Sequence, residues 1–225
     1  MSDLTYQFFS RVLKLVYWHG TLLGGENLPT QGPAVFVANH LATAGPIGVV
    51  CTIPLRFYTW IIADMVDKQR APDYLRQDFI ETSLKLKPPF SIYFARALSR
   101  LTVPFLTSIG CIPVTRGDGK ELVLSVAALK EGKAVLVFPE APELEIDPLT
   151  QMRPFLKGFT RLGEMFYVET GQSLPFYPVA VHASKRVRVG DAVFFDPANP
   201  RSLERLHLKH LLESKIQQMY LELDA

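Results

Sequence analysis

The chain has two cysteines in 225 residues, Cys51 and Cys111, both inside apolar runs and neither in a Cys-x-x-Cys spacing. A disulfide framework and a thiolate metal site therefore lack their residues, no metal is expected, and a reducing cytoplasm is the expected compartment. An excess of one charge is also missing. The formal net charge is +2, and without a zinc-finger or basic-helix motif this argues against a nucleic-acid partner. Long apolar runs are absent as well: a spanning helix needs about twenty uninterrupted residues, and the best stretch, Ala42 to Ile62, is broken by Pro46, Pro54 and Arg56. The first residues lack the basic, apolar and small-residue sequence of a secretory signal, so none is expected. No linker, internal repeat or low-complexity tract divides the chain, which predicts one core. Two catalytic signatures are missing too. There is no Gly-x-Ser-x-Gly elbow, and Gly117-Asp118-Gly119-Lys120 lacks the spacing of a phosphate loop.

What remains is 48% hydrophobic, the apolar end of the globular range. Charge is distributed unevenly. From Thr82 to Gly117 every charged side chain is basic (Lys85, Lys87, Arg96, Arg100, Arg116), interleaved with Phe90, Tyr93, Phe94 and Phe105. Such a stretch is either a surface for anionic head groups or acidic substrates, or a solvated helix face. Residues 1–20 predict a short amphipathic helix, with Leu4, Phe8, Val12, Leu15 and Val16 largely on one side and Arg11 and Lys14 among them. It lies in a membrane interface or packs on the body formed by residues 21–225.

Ala34–Ala38, Phe57–Ile62, Cys111–Val114, Ala134–Phe138 and Phe176–Val181 are short apolar runs bounded by Gly, Pro or polar residues, and read as strands. They alternate with helical spacing over Val103–Ser108 and upstream, Lys120–Lys130, Lys157–Glu169 and Ser202–Leu223; Asn199 is placed to cap the last. The alternation predicts a single α/β domain with a mostly parallel central sheet flanked by helices. Val66–Pro89 is an excursion from that sheet: a lid, a membrane-docking element or a wall of the acceptor site.

Four segments occur in order: Val37-Ala38-Asn39-His40 followed by Gly45-Pro46; Gly110-Cys111-Ile112-Pro113-Val114-Thr115-Arg116; Val137-Phe138-Pro139-Glu140 with Arg153-Pro154-Phe155-Leu156-Lys157 downstream; and Pro178-Val179-Ala180-Val181 leading to Val189-Gly190-Asp191. Together they resemble the lysophospholipid (glycerolipid) acyltransferase family, whose pattern is Asn-His-x-x-x-x-Asp, Gly-x-Ile-x-Val-x-Arg, Phe-Pro-Glu-Gly-Thr-Arg and Pro-Val-Ala. The resemblance implies transfer of a fatty acyl group from acyl-CoA or acyl carrier protein to a lipid hydroxyl or amine in phospholipid biosynthesis. No cofactor is implied, and the enzyme would be cytoplasmic and peripheral on a membrane surface. A histidine at a strand end suits removal of the acceptor's proton near neutral pH, so His40 is the expected general base, and the resemblance places Glu140 beside it as the second catalytic residue. Asn39, Arg116, Pro139, Glu143 and Lys157 fall on the substrate-binding positions; Arg116 suits a phosphate or other polar head.

The departures are specific. Gly45 stands where the family has the Asp that orients the imidazole, Ala141 where it has Gly, and Glu143 where it has Arg. A carboxylate in place of an anion-binding Arg disfavours a phosphorylated acceptor. The alternative to an enzyme is a decayed member of the same fold that binds lipid or acyl carrier protein without turnover.

Overall fold

A computed structural model of the chain describes Tyr6, Arg11 and residues 20–42, 44–82 and 84–224. The expected helix over residues 1–20 lies outside these, apart from Tyr6 and Arg11. The fold is α/β with a mostly parallel sheet flanked by helices, as the alternation predicts. Contacts group the described residues into two compact units, one of 59–121 and one of 20–58 with 122–224.

In the larger unit the strand order is β1 (Thr21–Leu23), β7 (Arg186–Val189), β6 (Pro175–Val181), β2 (Ala34–Ala38), β5 (Ala134–Val137), with β8 (Val193–Phe194) on the far end of β6. All these pairings are parallel except β6 with β7 and with β8. Strand β2 is at the centre and every residue in it is buried. That is why Ala-Val-Phe-Val-Ala carries no alternation: a parallel strand covered on both faces has no wet side. Phe36 sits opposite Leu136 and Tyr177 in the ladders. Its ring stacks on Tyr177 at 5.1 Å and meets the edge of Phe57, also at 5.1 Å.

Helix α1 (Ala44–Thr52) follows β2 directly. Sequence reading passes over it because Gly45, Pro46 and Gly48 weaken the helical signal. A proline in the first turn replaces an amide that has no helical partner, so it is tolerated there. Helices α4 (Lys120–Lys130) and α5 (Arg161–Thr170) precede β5 and β6, and the long α6 (Arg201–Asp224) closes the chain. Asn199 does not cap α6 as its position predicts. Its side-chain amide donates to Glu204 at 2.7 Å, and that buried carboxylate also accepts from the Asp196 amide at 3.0 Å.

The smaller unit holds the parallel pairing of Trp60, Ile61 and Ile62, the end of β3 (Phe57–Ile62), with β4 (Ile112–Val114). It also holds the excursion, folded as α2 (Ala71–Leu75) and a π-turn (Arg76–Ile80), and the helix α3 (Phe90–Ile109). Leu75, Ile80 and Ala95 make its core. Glu81 accepts from the Ser91 hydroxyl at 2.7 Å and pairs with Arg76 at 3.1 Å, tying the excursion to the start of α3.

Because Phe36 is fully buried between two rings on rigid parallel strands, Phe36→Ala leaves a cavity that its neighbours cannot close. A loss of about 3–5 kcal/mol is expected, read as a lower urea midpoint with an unchanged slope.

Candidate active site

Parallel strands β2 and β5 run in register, Val37 opposite Val137, so their carboxyl ends emerge at one level. The residues that follow, Asn39-His40 and Phe138-Pro139-Glu140, are thereby side by side, at the edge where open α/β sheets place their ligands. Asn39 is fully buried, and both ends of its amide are engaged by Val181. Its Nδ2 donates to the Val181 carbonyl at 2.9 Å and its Oδ1 accepts from the Val181 amide at 2.7 Å. Asn39 thus continues β2 onto β6 by one side-chain rung and fixes the direction in which His40 leaves the sheet.

Glu140 meets His40 through the main chain. Its Oε1 accepts from the His40 backbone N–H at 2.6 Å, and its Oε2 accepts from the Arg153 backbone N–H at 3.0 Å. The Glu140 segment is paired with Phe155 in an isolated antiparallel bridge. It is held further by Ala141 N–H donating to the Pro154 carbonyl and Leu156 N–H to the carbonyl of buried Pro139. Burial pushes the Glu140 carboxyl above its ordinary range, while the two amides and the Arg153 charge pull it back part of the way.

The His40 ring lies edge-on to Phe138, with centroids 5.4 Å apart. As a residue His40 reaches solvent, yet its imidazole is crowded by protein on the inner side, and it is the crowding that governs the ring's proton affinity. Desolvation is the largest influence holding its pKa below 6.5, and the Arg153 guanidinium is the second; a hydrogen bond from the ring to the Ala42 backbone pulls the other way. The ring is therefore mostly neutral at pH 7, with one nitrogen donating to a carbonyl and the other left as a base.

Leu41 and Ala42 both take left-handed backbone angles, φ 38° and 50°. Two such residues in succession turn the chain sharply back and put the Ala42 carbonyl within reach of the ring. Gly45 makes the tight return possible. A Cβ built there falls 1.9 Å from the His40 carbonyl oxygen and 2.8 Å from that of Asn39. Any side chain at this position, an aspartate included, collides with the backbone of the histidine it would orient.

Among the other expected site residues, Glu143 is exposed on the loop after Glu140, and Lys157 is exposed at the start of a 3-10 turn with no ion pair among the described residues. Arg116 is exposed just beyond β4 in the smaller unit. Sequence reading missed Arg153, which quotes as part of the third segment but acts on both His40 and Glu140, and Phe138, which forms the wall beside the ring. Only strand register would have drawn attention to Phe138.

Gly45→Ala is expected to cost about 1–3 kcal/mol in urea unfolding, as overpacking against main chain does. The His40 ring resonances should move as well, because its peptide must shift to admit the methyl group. Wild-type stability with unmoved His40 signals would contradict the close approach.

Residues 76–182 match the profile of the family described as Acyltransferase, a stretch that contains Arg116, Glu140, Glu143 and Lys157 and begins after His40. No curated protein matches the sequence significantly. The fold is similar to that of the 1-acyl-sn-glycerophosphate (LPA) acyltransferase PlsC from Thermotoga maritima, with a TM-score of 0.57 and 16% identity over 98% of this chain and 78% of that one. At that identity the structural likeness speaks for the fold. The family profile and the four ordered segments point the same way: residues 76–182 match the Acyltransferase family, in a fold similar to that of PlsC.

Proposed function

We propose that the protein transfers a fatty acyl group from a thioester donor, acyl-CoA or acyl carrier protein, to a hydroxyl or amine of a lipid acceptor at a membrane surface facing the cytoplasm. The observation that carries this reading is the place of His40 at the sheet edge, its main chain pinned by Glu140, its ring beside Phe138 and bonded to the Ala42 backbone. The acceptor oxygen attacks the thioester carbonyl as its proton passes to His40. A C–O bond forms, the C–S bond breaks, and the proton leaves with the thiolate. No acyl-enzyme is required. Negative charge developing on the carbonyl oxygen is met by backbone donors.

In this mechanism Glu140 is a positioning residue that acts through the His40 amide. The orienting carboxylate of the family pattern is replaced by a backbone carbonyl, which fixes the tautomer without bringing a full charge. The PlsC structure belongs to an enzyme of 1-acyl-sn-glycerophosphate. Here Glu143 replaces the family's second anion-binding Arg, so we propose an acceptor without a phosphomonoester.

Incubating the protein with labelled acyl-CoA, acyl carrier protein and a panel of lyso-lipids tests the reaction, and His40→Ala is expected to abolish the product with little change in melting temperature. Retained activity in that variant defeats the mechanism; a wild type inactive on every donor and acceptor favours the binding-protein alternative. Efficient acylation of lysophosphatidate contradicts the acceptor assignment. Gly45→Asp should lower transfer, since the side chain displaces His40 by a distance that costs on the order of 10²-fold.

The pH dependence has a definite sign. Transfer needs the unprotonated ring, whose pKa is depressed, so the acid limb of kcat/KM lies below pH 6.5 and activity rises with pH through it. Arg153→Gln removes one of the two depressing influences and is expected to move that limb upward, toward 6.5. A limb that stays put or moves down rejects the assignment of the titration to His40.

A further inference from the structure

An ordinary surface helix turns its apolar stripe inward. Helix α3 does the reverse. Its inner face is Ser91, Ala95, Ser99 and Val103, all buried. Outward, Phe90, Tyr93, Phe94 and Leu101 stand at helical spacing, with Phe90 and Leu101 each 73% exposed and Tyr93 68% exposed. Ala97 and Pro104 fill the gaps in the same stripe, both exposed. The stripe runs for roughly 20 Å along the helix. Arg96 and Arg100 border one side of it, and none of Lys85, Lys87, Arg96 and Arg100 forms an ion pair among the described residues.

An apolar strip of this length left in water calls for an occupant. We infer that the outward face of α3 is the surface by which the protein docks on an anionic bilayer, with Phe90, Tyr93, Phe94 and Leu101 entering the head-group boundary and Arg96 and Arg100 on the phosphates. Charge selects this occupant over a second copy of the chain. No acidic residue lies between Thr82 and Gly117, so a symmetric contact would set arginine against arginine, whereas anionic lipid is attracted by each cation. The aromatic residues suit the same place, since their rings sit at the boundary between head groups and acyl chains. The excursion of residues 66–89 gains a role as the brace that covers the inner face of α3 and leaves the stripe outside. The inference deepens the proposed reaction by naming what brings the protein to lipid, and its measurement needs no turnover.

The test is co-sedimentation of the full chain with vesicles of phosphatidylcholine alone and of phosphatidylcholine with phosphatidylglycerol. Wild type should bind the anionic vesicles and lose affinity as salt rises. The Tyr93→Ser, Leu101→Ser double variant should bind about tenfold more weakly at every salt concentration. The Arg96→Gln, Arg100→Gln variant should lose roughly tenfold at low salt and show a flatter salt dependence. All four substitutions sit on an exposed face, and circular dichroism checks that the variants fold. In a separate variant, Leu101→Trp, emission should shift to the blue on anionic vesicles and be quenched by brominated lipid. Affinity within twofold of wild type in both double variants, or an unshifted emission in the tryptophan variant, overturns the inference. So does a wild-type dimer that the serine variant dissociates and that does not bind vesicles. Acyl transfer to a short-chain, water-soluble acceptor separates the two readings: its absence beside intact vesicle binding removes the reaction and leaves the surface.

Discussion

One carboxylate sets the geometry on which the candidate site depends. Glu140 has two oxygens, and each takes the backbone N–H of a different segment, His40 at the end of β2 and Arg153 on the strand-like stretch that returns past it. Charge-assisted bonds of this kind are stronger than neutral ones, and they are made here in a half-buried place where either amide alone would be costly to leave unpaired. Removing the charge would free the two segments from one another. The imidazole can depend on a weak local contact because the peptide that carries it is held at its N–H by Glu140.

That local contact is a solution different from a histidine–carboxylate pair. A neighbouring carboxylate raises imidazole basicity and favours the protonated ring; the Ala42 carbonyl does so less, and desolvation with the Arg153 charge prevails. The result is an imidazole whose pKa is held below its ordinary value. Loss of the carboxylate and the close approach of α1 belong together, because Gly45 lets the helix start against the His40 carbonyl and leaves no volume in which an aspartate could stand.

Much of this was legible in the sequence, for identifiable reasons. Strands β2, β5 and β6 are short apolar runs with no polar alternation, and burial on both faces is what produces such runs. The Asn-His and Phe-Pro-Glu segments are legible because each follows a strand. Helix α1 was not, since its glycines serve a close approach that local propensity cannot report. Strands β1, β7 and β8 are held by their neighbours in the sheet more than by their own two to four residues. The manner in which Glu140 acts was hidden as well. A motif places a carboxylate near a histidine, but whether it meets the ring or the amide depends on register across β2 and β5. The exposed stripe of α3 shows the opposite case, in which periodicity gives the helix and only burial tells which side faces out.

Glu213, on α6, accepts from the Phe155 amide at 2.6 Å. Phe155 is the residue bridged to Glu140, which holds His40. A group near the start of the chain is thus secured by one near its end, and the centre of the sheet waits in the same way, β2 needing β6 as its second neighbour. During synthesis the strand that bears the histidine leaves the ribosome long before either support exists. The candidate site is accordingly assembled from segments far apart in the chain, and its hydrogen bonds cannot all form before α6 has been made.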